Sequence, residues 1–187
     1  MSQENLRIVP IAAEHDTNIC QIIKQVGKEY GAVGEGFGPS DAEVDNMSQH
    51  YHEQNRSLYL VALLDDKVVG GCGVAPFGQD EQTCELKKLF LLKESRGLGL
   101  GKTLSLACLE FAKQQGFGRC YLDTLSNMSA AVRLYESLGF EHLTAPLEGT
   151  VHNGCDVWML KSVLSQRLFM TRRQKSPDTI TLRERKI

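Results

Sequence analysis

The stretch Arg96-Gly97-Leu98-Gly99-Leu100-Gly101-Lys102-Thr103 decides how this chain folds. It follows an apolar, β-prone run from Thr83 to Leu92. It precedes an amphipathic run from Lys102 to Gln115, where Leu104, Ala107, Cys108 and Phe111 fall at helical spacing and Gly116 supplies the stop. Glycines let the backbone turn tightly and approach a ligand closely. A helix starting here presents N–H groups without intrahelical partners and a partial positive charge. Together these make an anion site, first of all for phosphate. Strand, glycine turn, helix and the short strand Arg119 to Thr124 form a right-handed crossover, so the flanking strands should be parallel.

Two phosphate-binding templates miss this stretch by one residue each. Gly101-Lys102-Thr103 ends like a P-loop, but that pattern needs glycine where Arg96 stands. The dinucleotide fingerprint from Gly97 and Gly99 needs a third glycine where Lys102 stands. A third template, Arg or Gln, two residues, Gly, one residue, Gly or Ala, is met by Arg96, Gly99 and Gly101.

Working outward, Leu6 to Ile11 reads as a first strand. Asp16 to Tyr30 reads as a helix with Ile19, Ile22, Ile23 and Val26 on one face, capped by Asp16 or Thr17. Residues 31–39 carry four glycines and Pro39, so they form a loop, and a long loop inside a domain is functional or mobile. A second helix is expected from Ser40 or Asp41 to His52. Leu58 to Leu64 and Lys67 to Ala75 flank Asp65-Asp66 as a hairpin. Beyond the crossover, Met128 to Leu138 reads as a helix capped by Ser126 or Asn127, and Val157 to Leu160 as a last strand. The expected fold is α/β: a mixed, mostly antiparallel central sheet with flanking helices and one parallel strand pair, which the family resemblance given below implies to be splayed.

The chain has 187 residues, a formal net charge of -2 and 42% hydrophobic residues. That is the size of one domain, placed at 1–164, with a basic tail at 165–187. In the tail, seven Arg and Lys residues, from Arg167 to Lys186, face only Asp178 and Glu184. The balance argues against nucleic acid as the main partner, and no apolar run is long enough to span a membrane. No signal peptide is visible at the N-terminus. The six cysteines lack Cys-x-x-Cys spacing and several sit in apolar runs, which suits reduced, buried thiols and a cytoplasmic protein.

Glu85-Leu86-Lys87-Lys88-Leu89-Phe90-Leu91 before the glycine turn, and Leu134-Tyr135-Glu136-Ser137-Leu138-Gly139-Phe140 after it, complete a pattern that resembles the GNAT superfamily of acetyltransferases. The specific likeness covers residues 83–143. It implies acetyl-CoA as co-substrate. Backbone N–H groups from Arg96 through Gly97, Leu98, Gly99, Leu100, Gly101 and Lys102 to Thr103 would hold its pyrophosphate. The strand edge Leu89, Phe90 and Leu91 would meet the pantetheine arm, with an N–H near Phe90 or Leu91 polarising the acetyl carbonyl. Where the family often has asparagine seven residues before the tyrosine, this chain has Met128, with Asn127 beside it.

The expected reaction is direct attack of a primary amine on the thioester. An amine of pKa about 10.4 costs roughly 4.6 kcal/mol to deprotonate at pH 7, so a general base is useful. Glu85, on the strand leading into the turn, is the candidate base, and Tyr135 the candidate acid for the departing thiolate. Glu35, Phe37 and Asp41 in the glycine-rich loop are expected to line the acceptor side. His152 with Cys155 and Asp156 resembles half a metal site, but without a second ligand pair no metal is expected. The leading reading is an N-acetyltransferase acting on a small-molecule or amino-acid amine, with a homodimer compatible. The alternatives are a protein N-terminal or lysine acetyltransferase and a non-catalytic acyl-CoA-binding module.

Overall fold

In a computed structural model, which describes residues 5–164, the β-prone runs assemble in sequence order. β1 (Leu6–Pro10), β2 (Leu58–Leu64), β3 (Lys67–Pro76) and β4 (Thr83–Leu91) lie side by side and antiparallel. Asp65 and Asp66 both adopt positive φ, 46° and 65°, the turn whose twist suits a two-residue hairpin between β2 and β3. The glycine turn and α2 (Leu100–Gln114) then carry the chain across to β5 (Arg119–Thr124), which runs parallel to β4. After α3 (Ser129–Ser137), β6 (Glu141–His142) and β7 (Val157–Ser162) complete a seven-stranded sheet of order β1-β2-β3-β4-β5-β7-β6.

Alternation along β2 divides the core in two. Tyr59, Val61 and Leu63 face α1 (Asp16–Glu29), where Ile19, Ile22, Ile23 and Val26 are buried as their spacing predicts. Leu60 and Ala62 face the opposite layer, formed by Leu100, Leu104, Cys108 and Ala112 of α2 with Tyr135 and Leu138. Full burial of Ile19 and Ile23 contributes about 1.5–3 kcal/mol each. All six cysteines are free thiols, four of them buried.

Residues 40–52 do not form the expected helix. They make successive 3-10 turns, Gly38–Ser40, Ala42–Gln49 and Glu53–Asn55, broken at Asn46 (φ -151°, ψ 55°). Val44, Met47 and Tyr51 still face the core at helical spacing. Side chains in between are drawn elsewhere: Asp41 and Glu43 to Lys88, and Ser48 to the carboxylate of Asp16. Ser40 accepts the N–H of Gly34 rather than capping a helix. The expected caps of the other helices are similarly diverted. Asp16 holds Ser48, Ser126 donates to Asp156, and Asn127 donates to the Tyr30 carbonyl at 2.9 Å.

One irregularity shapes the centre of the sheet. Gly71 pairs with Phe90 and Gly73 with Lys87, so β4 carries one residue more than β3 over this interval. The bulge sits at Lys88, whose φ is 55°, a conformation costing a non-glycine residue roughly 1–3 kcal/mol. Tyr59 reaches across β3 and donates its hydroxyl to the Lys88 carbonyl at 2.9 Å. The crossing needs Gly71 and Gly73. A Cβ at either would lie 2.6 or 2.5 Å from the Tyr59 ring.

The Lys88 ammonium is buried and pairs with Asp41 and Glu43, each at 2.6 Å. Asp41 also accepts Nε2 of His152 at 3.1 Å, and Nδ1 of His152 lies 3.0 Å from Asp123 and 3.5 Å from Glu85. Lys87 bridges Glu43 and Glu85 at 3.3 and 3.7 Å. Burial raises the Glu43 carboxyl, but Lys87 and Lys88 outweigh it and bring the pKa down to about 2. Burial lowers the His152 ring, but bonds to Asp123, Asp41 and Glu85 prevail and push it up to about 11.

Two predictions follow from this centre. Removing the Tyr59 hydroxyl (Tyr59→Phe) leaves the buried Lys88 carbonyl short of a partner and should cost about 1–3 kcal/mol in urea unfolding. The His152 contribution is complete below its unfolded pKa of 6.5 and is given up as pH rises through about 11, whereas that of Glu43 is lost as pH falls from 4.5 through about 2. Unfolding midpoints across pH should therefore decline on the alkaline side, and His152→Gln should flatten that decline.

Candidate active site

β4 and β5 pair only from Thr83 to Glu85 and from Arg119 to Tyr121. Beyond that point they separate. β5 stays bonded to β7 along its whole length, while residues 86–91 of β4 lose their neighbour on one side. The Leu92 N–H goes to Val69 on the β3 side. Alternation turns the Phe90 N–H the same way and the Leu91 N–H to the open side. The gap is a cleft. Leu86 to Phe90 form one wall and Asp123 to Leu125 the other, with Met128, Tyr135, His152 and Cys155 closing it.

Two loops cover one end. Gly154 donates its N–H to the Gly36 carbonyl at 3.0 Å, and Phe37 lies flat on Gly154, where a Cβ would come within 2.3 Å of the ring. Phe37 therefore lines the cleft as expected. Glu35 does not: it is exposed and off the wall. Asp41 lies beneath, between Lys88 and His152.

At the other end stands the glycine turn. Gly97 and Gly99 have φ of 81° and 78°, and no atom lies within 4 Å of where their Cβ would be. Gly101 differs, because its Cβ would touch Leu134 at 3.2 Å; it lets α2 approach α3. Of the eight amides from Arg96 to Thr103, that of Arg96 is bonded to Lys93 and that of Thr103 to Gly99. The six between, from Gly97 to Lys102, have no bonded partner among the described residues. They make a cradle for an anionic group at the start of α2. The Arg96 side chain is spent on structure: it donates to the Leu91 carbonyl at 3.0 Å and to Glu29 at 2.7 Å.

Tyr135 is buried against Phe140 and lines the cleft, and its hydroxyl has no hydrogen-bond partner among the described residues. Burial pushes its pKa up, so at neutral pH it is a phenol able to give a proton. Glu85 is 7% exposed and is not on the cleft wall; it lies behind, against His152 and Lys87. Asp123 and His152 stand in front of it. Neither was picked out as an acid–base group from the sequence. The one available signal was a carboxylate at Asp123 inside a β-prone run. Asn127, bonded to Tyr30, is committed to joining α3 to the end of α1.

The arrangement has the parts for acyl transfer along one line. Free amides stand at one end, an unpaired strand edge with an inward N–H at the middle, a proton-bearing phenol beside it and a charged cluster at the roofed end. Residues 28–140 match the model of the Acetyltransferase (GNAT) family. The chain is 40% identical over 147 residues to the uncharacterized N-acetyltransferase YjgM of Escherichia coli, covering 78% of this chain and 87% of that one. It is 32% identical over 130 residues to the N-acetylaspartate synthetase of Xenopus tropicalis, covering 70% of this chain and 46% of that one. Its fold is similar to an acetyltransferase, yncA, of Salmonella typhimurium solved with acetyl-CoA, with a TM-score of 0.69, 18% identity, and coverage of 94% and 99%. The chain belongs to the GNAT family of acetyltransferases.

Proposed function

We propose that the protein transfers the acetyl group of acetyl-CoA to the primary amine of a small molecule or amino acid. The observation that carries this is the run of six unbonded amides from Gly97 to Lys102 beside the unpaired edge of β4. Those amides and the Leu89–Leu91 edge suit a pyrophosphate followed by an extended, amide-bearing arm. Acetyl-CoA supplies the activated acyl group as a thioester. The N–H of Leu91, facing the gap, is positioned to polarise the thioester carbonyl. Tyr135 gives a proton to the departing sulfur.

The acceptor enters at the other end. The meeting of Gly36 with Gly154 narrows that entrance, which favours a small amine over a folded protein surface. The likeness to an N-acetylaspartate synthetase supports an amino-acid acceptor. Glu85 takes up the amine's proton by way of Asp123, the carboxylate on the cleft wall within 4.8 Å of it.

Coenzyme release measured against a panel of amines and amino acids tests this reading; turnover confined to peptide or protein acceptors would refute the small-molecule acceptor. Gly99→Val, which places a branched side chain at positive φ in the cradle, should weaken acetyl-CoA binding by about tenfold or more in calorimetry. Tyr135→Phe should lower kcat by about a hundredfold while acetyl-CoA affinity holds. Equal activity would reduce Tyr135 to a packing residue.

A further inference from the structure

The pair of ligands that the sequence around His152 lacks is supplied by the fold. Asp156 is turned away to bind Ser126. Glu85 from β4 and Asp123 from β5 come instead to Nδ1 of His152. One donor atom from each lies within 4.8 Å of the other two, and all three side chains are buried. Cys155 Sγ stands 3.6 Å from the same Asp123 oxygen. We infer that Glu85, Asp123 and His152 form a three-ligand binding site for a divalent metal ion of the zinc class, with Cys155 beside it and outside ligand reach of the full set.

Three features of the cluster support this. The first is spacing. Bonds of about 2.0–2.3 Å in a tetrahedral zinc site put neighbouring donors roughly 3.3–3.7 Å apart. Nδ1 of His152 lies 3.0 Å from Asp123 and 3.5 Å from Glu85. The second is the far side of the ring. Nε2 of His152 is bonded to Asp41 at 3.1 Å, and Asp41 is itself held by Lys88. A histidine bound to metal through one nitrogen donates its other N–H to a carboxylate in this way. The third is charge. The carboxylates of Asp41, Glu43, Glu85 and Asp123 share this buried region with only two ammonium groups, Lys87 and Lys88. A divalent ion offsets the two excess negative charges. A histidine nitrogen beside two carboxylates favours zinc over magnesium or calcium, which prefer oxygen throughout.

The inference goes beyond the transferase reading and meets it at Glu85. An ion held here takes Glu85 and Asp123 as ligands, so proton uptake from the acceptor amine stops while it stays bound. The ion is then a brake on turnover that leaves the acetyl-CoA cradle, at the other end of the cleft, untouched.

The test uses the full chain, freed of metal by a chelator and kept reduced. Zinc titrated calorimetrically should bind one ion per chain. Cobalt in its place should give the absorption of a tetrahedral site. His152→Gln should weaken zinc binding by about tenfold or more. Cys155→Ser, outside the ligand set, should leave zinc affinity and the cobalt spectrum unchanged. Acetyl-CoA affinity, measured on each variant, reports folding and the cradle independently of the metal. The inference is overturned if the wild-type protein binds acetyl-CoA but takes up no zinc, or if zinc affinity and the cobalt spectrum are the same in both variants.

Discussion

The hydroxyl of Tyr59 on the carbonyl of Lys88 is the contact on which the site depends. It holds an extra residue in β4 in a strained conformation, in the middle of the sheet. The Lys88 side chain beside the bulge pairs with Asp41 and Glu43, which fixes the loop that roofs one end of the cleft. Three residues earlier, after Glu85, β4 parts from β5 and offers its edge. The two glycines of β3 are there because an aromatic ring must cross that strand to make the bond.

The antiparallel run of β2, β3 and β4, the parallel crossover and the anion cradle could be read from residues close in sequence. Apolar spacing along α1 and α2 and the alternating glycines between Arg96 and Lys102 carry local information, and local structure follows it. The charged cluster was not legible in the same way. Asp41, Glu85, Asp123 and His152 lie on four separate segments and meet only when β4 and β5 part. The 40–52 segment failed for a related reason. Its apolar spacing suits a helix, but Asp41, Glu43 and Ser48 bond to distant partners that no local pattern announces.

Roles assigned by residue type also shifted with geometry. Glu85 is on the expected strand, yet the strand's alternation places it behind His152 and away from the open space. Arg96 heads the glycine motif, yet its guanidinium braces the end of β4 against α1. Gly101, alike in sequence to Gly97 and Gly99, serves packing against Leu134. A motif fixes which backbone passes through a point; tertiary neighbours decide what each side chain does there. The basic tail from residue 165 onward lies outside the described residues.

The last turn of α1 receives two long-range ties. Glu29 and Tyr30 hold the Arg96 side chain, and the Tyr30 carbonyl holds Asn127. The glycine-rich loop over the roofed end of the cleft departs from this same turn. The brace of the glycine turn and the roof at the opposite end are therefore hung from one mechanical anchor, so a shift of that turn would reach both at once without any separate moving domain.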